Sequence, residues 1–158
     1  MTKSTNLHLD LANVLRSTGR SQCLAKADAL EFSWRYSGSL ALRGLGLTPE
    51  ELGDIIAILA KIPTQGHPPL TSLSFSNNDL LGDSGVLALV QFIPESLLEI
   101  GLVNCGFGDV GGQALLNWAL NTKDLKMICI EGNNLLSEDQ KKGFDGLRAT
   151  HPNCMIVV

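Results

Sequence analysis

Gly106, Gly108 and Gly111 lie in the run LVNCGFGDVGGQ, residues 102 to 113, and together spell G-x-G-x-x-G. An apolar run precedes them, a helix-like pattern follows, and the acidic Glu131 ends the next apolar run. That outline suits a dinucleotide-binding turn, in which backbone N–H groups hold the pyrophosphate at a helix N-terminus and a carboxylate holds the ribose. The same letters also mark any strand that must turn sharply toward a helix, and an isolated fingerprint is a weak signal. The elements around it have to decide.

The other reactive side chains are scattered. Cys23, Cys105, Cys129 and Cys154 form no C-x-x-C pair, and their apolar neighbours suit reduced structural thiols better than disulfides or zinc ligands. Cys129 is the thiol to watch, because its place in a strand pattern points it outward. His8, His67 and His151 lie in a terminal segment and two proline-flanked loops, with none at the i, i+4 spacing of a helical metal pair, and read as solvated. There is no G-x-S-x-G elbow, and no cysteine has a recognisable base partner. The expectation is a protein that is not an enzyme and uses no metal or cofactor.

Positioning any site takes a core, and 158 residues suffice for one without staples. With 12 basic and 16 acidic residues, a net charge of -4 and no Lys/Arg cluster, the chain lacks the footprint that nucleic acid or an anionic membrane requires. The start, MTKSTNLHLDLANVLRS, has polar residues where a signal peptide is apolar, and runs such as IIAILA fall far short of a membrane span. A soluble, cytoplasmic chain is the expectation, with delivery as an effector left open.

Self-similarity is the strongest signal. LTSLSFSNNDL from Leu70, LLEIGLVNCGF from Leu97 and LKMICIEGNNL from Leu125 align with apolar residues at positions 1, 4, 6 and 11 and Asn78, Cys105 or Asn133 at position 9, at spacings of 27 and 28. Backwards, Leu40, Leu42, Leu45 and Leu47 fill positions 4, 6, 9 and 11 of an earlier unit; forwards, Asn153 opens a last unit whose Ile156 and Val158 form a closing strand. Helices fall between the strands. Thr48-Pro49-Glu50-Glu51 reads as a capping box with proline at the first helical position, and Asp83, Asp109 and Ser137 stand at the corresponding cap positions. Apolar stripes follow: Leu52, Ile55, Ile56 and Leu59; Val86, Leu87, Leu89 and Val90; Ala114, Leu115 and Trp118; Phe144 and Leu147.

This pattern resembles the leucine-rich repeat family, specifically its ribonuclease-inhibitor-like subclass, with its L-x-x-L-x-L-x-x-N/C-x-L strand segment. The resemblance implies an α/β fold, a short right-handed β-α solenoid with a parallel concave sheet and outer helices. It covers residues 37–158, about four units plus the closing strand. IPTQGHPPL is longer than the period allows and forms a loop of its own. Residues 1–36 match no clean unit: Leu7, Leu9 and Leu11 alternate as in a strand, while Leu7, Leu11, Val14 and Leu15 fit a helical face, and Ser21 suits the cap of a helix through Leu24, Ala27 and Leu30. We read this segment as a mostly helical N-terminal cap that covers the first unit's apolar edge, with Trp34 and Tyr36 at the junction either sealing the stack or offering a contact surface.

Within this register the glycines of the opening motif sit where every unit turns from strand to helix, so they read as structural, and nucleotide binding through Gly106 is the minor alternative. Asn78 and Asn133 read as a ladder that satisfies turn backbones rather than as catalytic amides, and Trp118 reads as inner helix face. The residues alternating with the core positions look outward. Arg43, Ser72, Ser74, Ser76, Glu99, Gly101, Val103, Met127, Cys129, Glu131, Met155 and Val157 thus form a mostly small and neutral face, suited to another protein, with Arg43, Glu99 and Glu131 fixing orientation. The second alternative is a structural subunit of a larger assembly docked through the apolar end strand CMIVV, whose edge has no evident polar cover.

Overall fold

Strands β1 (Ser39–Ala41), β2 (Ser72–Ser74), β3 (Glu99–Gly101), β4 (Met127–Cys129) and β5 (Met155–Val157) lie side by side in chain order, all parallel, in a computed structural model that describes residues 6–158. Leu40, Leu73, Ile100, Ile128 and Ile156 occupy one register row. For the last four that is the alignment the 27- and 28-residue spacing predicts; Leu40 lies 33 residues before Leu73, across the longer loop, and joins the row by its apolar pattern, and all five side chains are buried. The pleat sends position 4 into the core and positions 3 and 5 to the other face.

Helices α3 (Pro49–Leu59), α4 (Gly82–Phe92), α5 (Asp109–Leu120), α6 (Glu138–Asp145) and the single turn α7 (Leu147–Thr150) connect successive strands. Each of α3, α4 and α5 packs on the next helix in line. The chain is therefore α/β, with one parallel sheet sharing its core with the helices. Thr48 closes the expected capping box with Glu51, and Pro49 is the first helical residue. The inward stripes are shifted from the expected ones: Leu87 is exposed, Ala114 and Trp118 are half-buried, and Leu116 and Ala119 take the inner face of α5. Each buried Leu or Ile contributes roughly 1.5–3 kcal/mol through removal from water.

Position 11 is a correction. Leu80 and Leu135 are 60% and 71% exposed, whereas Leu81 and Leu136, one residue later, are buried. Two consecutive leucines follow each Asn-Asn turn, and the helix entry selects the second. In the units that have no such pair, Leu47 and Phe107 fill position 11 as expected.

The N-terminal segment is helical, with α1 (Leu7–Ser17) packed on α2 (Ser21–Phe32) and on α3. Leu7, Leu11 and Leu15 are buried and Leu9 is exposed, which removes the strand reading. Residues 1–5 of the expected cap lie outside the described residues. Ser21 is the first residue of α2 and makes no side-chain cap; Cys23 takes the inward position and Leu24 is exposed. The segment is tied down electrostatically. Arg20 makes a two-pronged contact with Glu51 at 2.9 and 2.6 Å and donates from Nε to the Leu45 carbonyl at 3.0 Å. Arg16 pairs with Asp28 and Glu31. The long loop begins with a 3-10 turn over Ile62–Gln65. Among the described residues, no helix is long and apolar enough to cross a membrane.

Candidate functional site

At the strand-to-helix rim the buried polar side chains of the repeat are engaged inside the stack. Asn78 is fully buried; its Oδ1 accepts from the N–H groups of Leu45 and Leu47 at 3.1 Å, and its Nδ2 donates to the carbonyls of Leu42 and Phe75 at 2.8 and 2.7 Å. Asn133 repeats the arrangement, accepting from Cys105 N–H at 2.8 Å and donating to Leu102 and Ile130. Cys105 stands in the same place with its thiol toward the Phe75 carbonyl at 3.2 Å. Burial pushes that thiol up to about 11, so it stays protonated and able to donate.

The glycine turn belongs to this rim. Asp83 Oδ1 accepts from Gly108 N–H at 2.9 Å and Gly111 N–H at 2.8 Å. Asp109 Oδ1 accepts from Ser137 N–H at 2.8 Å. Neither aspartate caps its own helix, contrary to the sequence expectation. Each lies within the first turn of its helix and caps the next one from the side, across 28 residues, while Ser137, like Thr48, caps its own helix, accepting from Gln140 N–H. Gly106 has φ +70° and a β-carbon there would overlap the Asp79 carbonyl; at Gly111 it would sit 2.8 Å from Asp83 Oδ1. The donors that a phosphate would need at Gly108 and Gly111 are thus engaged by a carboxylate of the chain itself.

Two of the histidines are not the solvated loop residues expected. His151 is 5% exposed, with Nε2 at 3.0 Å from the Thr122 carbonyl and Nδ1 at 2.7 Å from the Thr150 hydroxyl. His8 lies on α1 and stacks on Trp34 at 4.8 Å, and desolvation followed by the nearby Arg35 charge lowers its pKa. Trp34 continues to Tyr36, whose ring meets His67 and whose hydroxyl donates to the Pro68 carbonyl at 2.8 Å. Of the two roles weighed for these aromatics, this stacking fits the seal.

The open face of the sheet is built differently. Ser72, Glu99, Met127 and Met155 form one row across the strands, and Ser74, Gly101, Cys129 and Val157 form the next. The hydrogen bonds from Gly44 to Ser76, Asn77 to Val103 and Asn104 to Glu131 carry the register onward, aligning Arg43, Ser76, Val103 and Glu131 in a third row. A shallow depression of about 360 Å³ takes in nine of the twelve expected face residues; Glu99, Met155 and Val157 lie outside its lining.

Three features of this face were not foreseen. Ser74 and Ser76 are only 8% and 7% exposed, because Arg43 Nε reaches across to the Ser74 hydroxyl at 3.0 Å while Ser76 Oγ accepts from Val103 N–H at 3.1 Å. With the buried Gly101 they make a floor rather than a contact edge. Next, no ion pair among the described residues involves Arg43, Glu99 or Glu131, although Arg16 and Arg20 of the N-terminal segment are both paired. Finally, Cys129 is half-buried between these charges. Burial first and Glu131 next push its thiol up; Glu99 adds to this and Arg43 opposes it, leaving a protonated, weakly nucleophilic group.

On the end strand, Arg148 of α7 donates to the Ile156 carbonyl of β5 at 2.8 Å, which engages one acceptor of the edge expected to be open. Sequence reasoning missed this contact, as it missed the sideways role of Asp83 and Asp109. A signal for the aspartates exists in principle, since donor and acceptor are separated by the repeat length itself. Neither a protein-family model nor a curated protein sequence matches this chain.

Proposed function

We propose that the chain is a leucine-rich repeat solenoid, similar to the ribonuclease-inhibitor-like subclass, that binds another protein through the concave open face of its sheet and performs no catalysis. The single-row register of the five apolar strand positions and the Asn78/Cys105/Asn133 ladder support the repeat reading. The observation that carries the functional reading is the contrast in charge pairing. Arg43 and Glu131 line a shallow depression floored by small residues, Glu99 lies beyond it, and none of the three enters an ion pair among the described residues, so they have charge to offer an incoming surface. The four free cysteines suit a reducing, cytoplasmic setting.

Nucleotide binding at Gly106 is disfavoured because Asp83 holds the relevant N–H groups and its negative charge repels phosphate. Docking through β5 is the lesser reading because Arg148 engages the Ile156 carbonyl, one acceptor of that edge, and a charged side chain at an edge strand works against pairing. Affinity capture with the wild type and with Val103→Glu and Glu99→Arg variants tests the proposal. Both variants lose a partner of the sheet face and retain one docked at the edge. In parallel, a rise in melting temperature with NAD or ATP would overturn the non-enzymatic reading.

A further inference from the structure

The row Arg43, Ser76, Val103 and Glu131 lies two residues past the ends of β1, β2, β3 and β4 and reads positive, hydroxyl, apolar, negative. The backbone positions of its two ends lie three strand spacings apart, about 14 Å, and Arg43 leans inward over Ser74, which brings its guanidinium closer to Glu131 than that. Arg43 and Glu131 are both exposed, and neither enters an ion pair among the described residues. Between them the floor is low, because Ser76 is tucked under and engaged with Val103 N–H and Gly101 has no side chain. Glu99, four positions back from Val103 and within β3, is a second carboxylate outside any ion pair among the described residues.

Resting on the sheet-face reading, we infer that the partner presents a dipolar segment laid across the strands along this row, with a carboxylate against Arg43, an apolar side chain against Val103, and a lysine or arginine against Glu131. The backbone spacing of about 14 Å sets the upper bound on the partner's charge separation, about nine or ten residues of helix at a rise of 1.5 Å or about four of an extended strand. A nucleic acid would meet Glu99 and Glu131 with repulsion, and a segment docked in reverse would place like charges together at both ends, so the row also fixes direction.

Selection of a displayed random sixteen-residue peptide library on the immobilised full chain tests this inference, followed by titration of the selected peptides. The expected peptides carry an acidic and a basic residue within one of those separations. Glu131→Lys and Arg43→Glu each weaken them at least tenfold, and binding weakens as salt rises. The chain carrying both substitutions prefers the peptide with its two charges exchanged. Because Arg43 also supports Ser74, Arg43→Gln, which keeps a donor, serves as the second variant and loses affinity without a change in melting temperature. Peptides that bind both charge variants as well as the wild type but fail on Val103→Glu would overturn the dipolar segment and leave the face intact. Peptides indifferent to Val103→Glu as well would remove the sheet face itself as the binding surface.

Discussion

The rim where strands turn into helices and the open face of the sheet belong to the same strands, yet they treat polar groups in opposite ways. At the rim, Asn78 satisfies four backbone groups from two units, and Asp83 satisfies two N–H groups of the next helix. On the face, Arg43 uses Nε to brace Ser74 and enters no ion pair among the described residues, and neither do Glu99 and Glu131. Buried donors and acceptors left unpaired cost stability, so the rim's pairing is a condition of folding. Solvated charges cost little while they wait and become useful when a partner arrives. The rim should therefore answer to mutation in melting temperature, and the face in binding.

The largest effect should come from Asn78→Ala. It strands buried backbone groups in two adjacent units, and a loss of about 3 kcal/mol or more follows, a fall of roughly 6–12 °C in thermal denaturation. A cost below about 1 kcal/mol would erase the distinction between the regions. Gly106→Ala comes next, at about 2 kcal/mol, because its left-handed backbone and its approach to the Asp79 carbonyl both resist a β-carbon.

A smaller, pH-dependent effect sharpens the comparison from the N-terminal segment. The hydrogen bond from Arg20 is the main reason that the Glu51 pKa lies below its ordinary value of 4.5. Its stabilising contribution is present above that value and is lost as pH falls through the lowered one. Glu51→Gln should therefore melt below the wild type at neutral pH, by about 1 kcal/mol or less, with the gap narrowing in acid. The smallest stability effects belong to the face: Val103→Glu and Glu131→Lys should stay within about 0.5 kcal/mol of the wild type while abolishing capture of the partner.

The strand register could be read from the sequence because two periods agree, alternation within a strand and recurrence every 27 or 28 residues. The Asn78 and Asn133 ladder followed from the same alignment. What escaped depends on contacts between units. Which of Leu80 and Leu81 turns inward is decided by the helix entry, and both carry the same side chain. Asp83 looks like a cap of its own helix, and only the lateral spacing of neighbouring turns sends it to Gly108 and Gly111. Ser74 and Ser76 have the outward register expected of them, yet Arg43 reaches across and covers them, which no one-strand pattern reveals. His151 sits beside a proline as loop residues do, but its ring bonds a carbonyl 29 residues away.

The central claim, that this protein makes its contacts with the open sheet face, is tested most directly by site-specific photocrosslinking from two positions. A photoreactive residue at Val103 samples the face, and one at Leu87 samples the exposed side of α4. The account predicts a covalent adduct with the partner from position 103 and none from 87. An adduct from 87 without one from 103 would contradict it.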